Sequence, residues 1–457
     1  MNKNCAVILA AGEGTRMKSS KPKVLAQVMF VPMIDWVISA VRASGVEDIC
    51  AVTGHLSETV CEHLGGACET VLQAQRLGTG HAVAQAKDFI ASHVGGNVLV
   101  LNGDAPLIDA KTITDALTFH ISKGNSATVI SATVNDPAGY GRMVRGSDGL
   151  LERIVEQRDA TEDEKKISEV NSGAYWFRCD DLLSALDDIA AMGRDKKEIY
   201  LTDAIEILIN NGKRADAFTA ENADVILGAN DRYQLMKLNE LARGRILKEN
   251  MLNGVDIPCT DGVIISPQAV IGEDTQILPG TIITGATVIG KGCVIGPDAK
   301  LDSCTVGDGS IINASQCEGC AIGSNVTVGP FAHLRPGCVI SDGVHAGNFV
   351  EVKNSTVGEK TKISHLTYIG DSDVGEGVNV GCGCATANYD GTRKFRTTVG
   401  NKAFIGCHTC LVAPVTVGDH AYTAAGSVVT EDVPDGTMAI ARSRQSIKRK
   451  VRKYNED

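Results

Sequence analysis

The chain has 457 residues, 43% of them hydrophobic, which is enough apolar material for two or three packed domains. A formal net charge of −11 argues against a general nucleic-acid or membrane-surface role. Fifteen cysteines, scattered among strand-like segments of a long chain without a secretion signal, read as reduced thiols of a cytoplasmic protein, and the apolar run from Cys5 to Ala11 is far too short to span a membrane.

From the N-terminus, strand-like and helix-like segments alternate: Cys5–Ala10, a loop, a helix after Pro32, Ile49–Thr53, a helix near His81–Phe89, then Asn97–Leu101. The alternation predicts a mostly parallel, helix-covered α/β sheet over residues 1–229. Ligands of such sheets bind beyond the carboxyl ends of the strands, which points to the loops after Ala10 and Leu101.

The first loop, Leu9-Ala10-Ala11-Gly12-Glu13-Gly14-Thr15-Arg16-Met17, is followed by Lys21-Pro22-Lys23. Small residues let backbone amides approach a phosphate or base, and Arg16 and Lys23 supply positive charge. The spacing is neither a P-loop nor the three-glycine dinucleotide pattern, and a Gly-rich turn by itself is equally compatible with plain structure. A second small-residue loop, Gln73 with Leu77-Gly78-Thr79-Gly80-His81, and the turn Asn102-Gly103-Asp104-Ala105-Pro106-Leu107 add weight. A lone Asp104 past a strand is often a helix cap. Beside a phosphate site it suits Mg²⁺, which takes one or two carboxylates plus substrate phosphates.

Residues 230–252 carry Leu235, Leu238, Ala242 and Ile246 at helical spacing and end at Asn253-Gly254, a linking helix with a left-handed cap. Beyond it, over 253–457, the pattern changes. Ile271, Ile277, Ile283, Ile289, Ile295 and Leu301 keep a stride of six, which fits neither an ordinary sheet nor a helix but does fit a hexapeptide coil. The stride slips through Val306 and Ile312 and resumes at Ile322, at Val357 and at Val399. Three six-residue sides make a triangular coil of a parallel β-helix, and stacked coils bury what no single coil can. About 18 residues per coil and about 4.8 Å between strands give a prism roughly 40 Å long. The pairs Cys317/Cys320 and Cys407/Cys410 could be zinc half-sites, but both lie where the repeat wants a small apolar residue.

The LAAGEGTRM loop with Lys23, the LGTGHA loop and the NGDAPL turn resemble the sugar-1-phosphate nucleotidyltransferases. With the hexapeptide array, nearly the whole chain resembles the bifunctional bacterial N-acetylglucosamine-1-phosphate uridyltransferase/glucosamine-1-phosphate acetyltransferases. The resemblance implies a Rossmann-like nucleotidyltransferase domain followed by a left-handed β-helix. It implies that Leu9, Ala10, Ala11, Gly12, Lys23, Gln73, Gly78 and Thr79 hold the uridine nucleotide, joined by Asn102 and Gly103. Gly141, Glu156 and Asn171 would hold the sugar, and Asp104 with Asn230 would bind Mg²⁺. The sugar phosphate would attack the α-phosphorus of UTP, with Arg16 and Lys23 stabilising the developing charge.

Between Ser341 and Asp390 polar residues that a scaffold does not require interrupt the repeat. A lone histidine on a β-helix is usually just an outward residue. His365, however, lies beside the Ile363 column, near Tyr368 and on coils adjacent to Arg335 and Lys353, which suits a general base for an attacking amine. The resemblance agrees: it assigns His365 as base, Arg335, Lys353, Tyr368 and Asn379 to glucosamine 1-phosphate, and Cys382, Asn388, Tyr389, Cys407, Ala425 and Arg442 to acetyl-CoA. Glu351 is a candidate to orient the base. Cys382 and Cys407 depart from the Ala and Ser more usual there. The segment Ala385 to Thr398 reads as a loop thrown out of the prism, and the basic tail Arg442 to Lys453 as a solvated end, which the resemblance lays over the coenzyme phosphates of an adjacent subunit. With an open prism face, the resemblance implies a homotrimer with acetyl sites between subunits. Two other readings stay open: a nucleotidyltransferase whose β-helix only oligomerises, and a non-enzymatic exchange subunit. The first should lack His365, Lys353 and the Asn388-Tyr389 loop, and the second should lack Arg16, Lys23 and the Asp104 turn.

Overall fold

In the computed structural model, which describes residues 4–192 and 198–449, the strand Cys5–Ala10 shows why the N-terminal sheet forms. Cys5 and Val7 enter one apolar cluster, while Ala6, Ile8 and Ala10 enter another. A pleat of period two covered on both faces requires that division. Strand Asn97–Asn102 repeats it, with Val98 and Val100 on one side and Leu99 and Leu101 on the other.

The strand order is Ala215–Thr219, Ala127–Thr133, Glu169–Arg178, Asn97–Asn102, Cys5–Ala10, Asp48–Thr53, Glu69–Leu72. The last four are mutually parallel, as the sequence predicts. Glu169–Arg178 runs antiparallel to both neighbours, so the sheet is mixed. That strand follows the antiparallel pair Arg142–Arg145 and Leu151–Val155, and such pairs need no crossover helix. Helix Met33–Ala43 buries Met33, Ile34, Val37, Ile38 and Val41 along one stripe. The helix expected near His81–Phe89 is two, Thr79–Gln85 and Lys87–Ala91, which meet at Ala86. Helix Arg232–Leu252 follows, and the division between the chain's two compact units falls inside it, between Ala242 and Arg243. None of the described helices is long and apolar enough to cross a membrane.

The second unit is a left-handed parallel β-helix. Ile271 stacks on Ile289, Ile277 on Ile295 and Ile283 on Leu301, three hexapeptides apart, and every aliphatic of the stride is buried. Where the stride slips, Leu301 stacks on Cys317 and Cys317 on Leu334, so the thiol takes an aliphatic's place in the column. Strands His345–Lys353 and Lys362–Gly370 are longer than the rest and run around a corner, through Phe349 at φ 56° and Leu366 at φ 39°. They carry the polar residues that interrupt the repeat.

Candidate active sites

At the carboxyl ends of the parallel strands, two hollows of about 600 and 480 Å³ share Leu9, Arg16, Thr79, Asn102, Asp104 and Asn230. The loop that bounds the larger one needs its glycines. Gly14 sits at φ 62°, and a Cβ there would stand 2.7 Å from Lys23 Cβ, so only glycine lets Lys23 enter. Gly78 sits at φ 107°, where a Cβ would lie 2.8 Å from the Ile199 nitrogen. Buried Gln73 ties that loop together, donating to the Gly78 carbonyl at 3.1 Å and lying 3.0 Å from His81 Nδ1. Thr79 Oγ1 accepts from the Leu201 amide at 3.0 Å. Lys23 Nζ donates to Asn230 Oδ1 at 2.8 Å and pairs with the Asp104 carboxylate.

Gly141, Glu156 and Asn171 line the smaller hollow. Asn171 is held at both ends of its amide: Nδ2 donates to the Tyr175 hydroxyl at 2.7 Å, and Oδ1 accepts from the Gly173 amide at 2.9 Å. Burial pushes the Glu156 carboxyl above the usual range. Ala10 and Gly103 lie behind the walls. Ala10 packs in the core, and the Gly103 amide donates to the Leu9 carbonyl at 2.9 Å. Two side chains that sequence reading passed over also belong here: Tyr175, which fixes Asn171, and Arg76, paired with Glu13 at 3.1 Å.

On the β-helix, strand register brings distant residues into one ladder. Asn348 pairs with His365. Ile363 pairs with Val380 and Tyr368 with Ala385, which sets Cys382 one coil above His365. The pairings of Val380 with Ile405 and Ala385 with Cys410 set Cys407 above Cys382, and the next coil brings Ala425. The Arg442 side chain passes close to Gly426, where a Cβ would stand 3.8 Å from Arg442 Cδ. Asn379 stacks between Lys362 and Phe404.

Arg335 donates to Glu351 at 2.9 Å, while His365 Nδ1 lies 2.9 Å from Asn348 Oδ1. Glu351, expected beside the base, thus pairs with Arg335, and the neighbour of His365 is Asn348. The segment Ala385 to Thr398 closes on itself: Asp390 Oδ1 accepts from Thr392 and Arg393, and Tyr389 bridges to Lys394. This brings Lys394 against Lys353, and the side-chain contact with Lys353, joined by its charge, holds the Lys394 ammonium below the usual lysine range. Two ammonium groups side by side are a ready seat for an anion. Asn388, buried, donates to Asp371, a carboxyl that burial would raise but that Asn354 and Asn388 hold below its ordinary value. Of the basic tail, the part beyond Arg449 lies outside the described residues.

Residues 5–233 match the nucleotidyl transferase family model, and residues 268–303 match the bacterial transferase hexapeptide model of six repeats. A protein described as bifunctional protein GlmU from Acetivibrio thermocellus is 47% identical over 443 residues, covering 97% of this chain and 96% of that one. Its counterpart in Geobacillus thermodenitrificans is 48% identical, with 97% and 96% covered. The chain belongs to the GlmU family. Similarity to these GlmU proteins runs through both units. Among the described residues no three His, Cys, Asp or Glu side chains are arranged to hold a metal.

Proposed function

We propose that this chain makes UDP-N-acetylglucosamine, a precursor of bacterial envelope sugars, in two transfers. On the β-helix the amine of glucosamine 1-phosphate attacks the carbonyl carbon of acetyl-CoA. The C–N bond forms, the C–S bond breaks, coenzyme A leaves, and the amine's proton passes to His365 Nε2. Arg335, Lys353 and Lys394 supply the charge that a sugar phosphate needs, with Tyr368 beside them, while Asn379, in register with Lys362 and Phe404, is assigned to the sugar phosphate by the family resemblance alone. Asn388, Tyr389, Cys407, Ala425 and Arg442 border the path of the coenzyme, and Cys382 lies between that path and the base. The ladder from Asn348 to Ala425, flanked by those cations, is the observation that carries the reading.

In the N-terminal unit a phosphate oxygen of N-acetylglucosamine 1-phosphate attacks the α-phosphorus of UTP, and pyrophosphate leaves. Positioning and charge neutralisation are what such a transfer requires. The small-residue loop from Leu9 to Gly12 with Gln73, Gly78 and Thr79 seats the nucleotide, and Gly141, Glu156 and Asn171 seat the sugar. Arg16 and Lys23 offset charge on the transferred group. The residues present fit Mg²⁺: Asp104 and Asn230 both offer side-chain oxygens to a cation, here the Lys23 ammonium, and would hold the metal, which would supply neutralisation of phosphate charge.

Exposed Phe331 and Phe349 stack at 5.5 Å with Leu366 one coil on, a protruding apolar corner beside the ladder that supports a homotrimer with acetyl sites between subunits. None of the fifteen cysteines, all among the described residues, is in a disulfide, which accords with a cytoplasmic setting. The test is a mass-spectrometric assay of glucosamine 1-phosphate with acetyl-CoA, comparing the intact protein with His365→Ala. N-acetylglucosamine 1-phosphate from the first and little from the second is the expected result. If the intact folded protein forms none, the β-helix is a scaffold and only the nucleotidyl transfer stands.

A further inference from the structure

A histidine serves as a base at one ring nitrogen only if the other holds the proton. His365 is exposed, with two tautomers open to it in water, so something has to choose between them. Among the described residues one side chain stands at hydrogen-bond distance: Asn348 Oδ1, 2.9 Å from Nδ1. An amide oxygen can only accept, so this contact keeps the proton on Nδ1 and the lone pair on Nε2.

Four features hold the contact in place. Asn348 and His365 are register partners on neighbouring coils. Each immediately precedes a left-handed residue at the same corner, Phe349 and Leu366, so the two side chains leave the backbone alike. The coils also approach closely at the preceding position, where a Cβ on Gly347 would stand 2.7 Å from the Ser364 carbonyl carbon. Finally, Thr367 Oγ1 donates to the His365 carbonyl at 2.7 Å and fixes the backbone from which the ring projects.

The geometry points to Asn348 as a positioning residue of the acetyl transfer, one that sets the tautomer and ring orientation of His365 without touching substrate. This rests on the reading of His365 as the base. It also assigns Glu351 elsewhere, to Arg335. The titratable groups around the imidazole are His345, Glu351 and Lys353 on the preceding strand and Lys362 and Tyr368 on its own. Cys382 lies in the next coil and His408 beyond it at Gly383, and all of these remain in place when Asn348 alone is changed.

The test measures acetyl transfer by the full-length protein across pH for Asn348→Ala, Asn348→Asp and His365→Ala, with uridyl transfer followed in parallel. Asn348→Ala lowers kcat about tenfold, the worth of one well-placed hydrogen bond, and leaves KM for glucosamine 1-phosphate near its native value. Asn348→Asp can only accept, so it restores most of kcat. Its charge favours the imidazolium, so the acid limb of the pH profile moves up by about one unit. The substrate amine titrates identically in every variant, and uridyl transfer stays at its native rate throughout. Because Asn348→Asp preserves volume, it carries the test even where Asn348→Ala loosens the coil. A native kcat in Asn348→Ala, or a native acid limb in Asn348→Asp, overturns the proposal while leaving His365 as base. Acetyl transfer that survives His365→Ala removes the base itself, and the role of Asn348 falls with it.

Discussion

The Tyr368 ring lies across Gly370: a Cβ placed on Gly370 would stand 2.5 Å from Tyr368 Cζ and 2.8 Å from Cε1. The Gly370 amide also donates to Thr386 Oγ1 at 2.8 Å, which holds the strand in place beneath the ring. Gly370 does not have the positive φ of many glycines here, so alanine fits its backbone, and the nearest atoms its Cβ meets are those of the ring. Gly370→Ala therefore displaces Tyr368 from the sugar-phosphate side of the ladder. We expect acetyl transfer to drop about a hundredfold, the scale of an ångström of misplacement, with uridyl transfer native. Assaying both reactions on one preparation checks this, and equal loss of both counts against it.

At the other centre Lys23 stands between Asp104 and Asn230. Asp104→Asn keeps the shape of the turn and removes its charge. The Mg²⁺ concentration for half-maximal uridyl transfer then rises at least about tenfold, and kcat falls, because one carboxylate plus phosphates is the expected ligand set. Lys23→Ala lowers kcat by about 10² to 10³ without that shift in metal demand, as loss of a charge that stabilises the transferred group does. A Mg²⁺ titration of each variant separates the two roles.

Much of this was legible in the sequence because each signal is local or strictly periodic. The stride from Ile271 to Leu301 is the β-helix itself, and the loop from Leu9 to Arg16, the Gly78 loop and the Asp104 turn lie at strand ends that a parallel sheet brings together. Asn348, Lys394 and Tyr175 were not legible. The contact of Asn348 with His365 spans 17 residues and depends on how many residues the intervening corner uses, and that corner lies where the stride of six is broken. Lys394 reaches Lys353 only because the segment after Ala387 folds back, which polar composition does not reveal. Tyr175 reads as one more core aromatic until the irregularity between Asn171 and Ala174 turns Asn171 toward its hydroxyl.

His120 lies buried against Thr128, with Nδ1 2.9 Å from Oγ1, and burial, helped by the charge of Arg178, lowers its pKa from the ordinary 6.5 to about 4. Above pH 6.5 the ring is neutral folded or unfolded and imposes no pH dependence. As pH falls below 6.5 the unfolded chain takes up a proton that the folded chain refuses, so stability is lost progressively down to about pH 4. One such group removes on the order of 3 kcal/mol across that window. Denaturant melts of the full-length protein at pH 7, 5.5 and 4.5 measure the slope. His120→Gln, which cannot titrate, flattens it even where the variant is less stable at pH 7.

Cys407 is exposed and Cys382 partly so, one coil apart on the ladder that begins at Asn348. Most other thiols are less open: Cys304, Cys317, Cys320, Cys338 and Cys384 all face the interior. A maleimide added at Cys407 or Cys382 would stand in the space we assign to acetyl-CoA, while Cys61 and Cys68 do not line the uridyl hollows. Brief treatment should therefore abolish acetyl transfer first and spare uridyl transfer. Acetyl-CoA present beforehand should slow the loss. The double variant Cys382→Ala/Cys407→Ser, which keeps small side chains at both positions, should resist the reagent while retaining acetyl transfer within about threefold, since each change is of roughly one heavy atom. Mass spectrometry of the modified protein identifies the thiols that react. If inactivation tracks a cysteine other than these two, or if the double variant is inactivated as fast as the native chain, the coenzyme does not pass along this ladder.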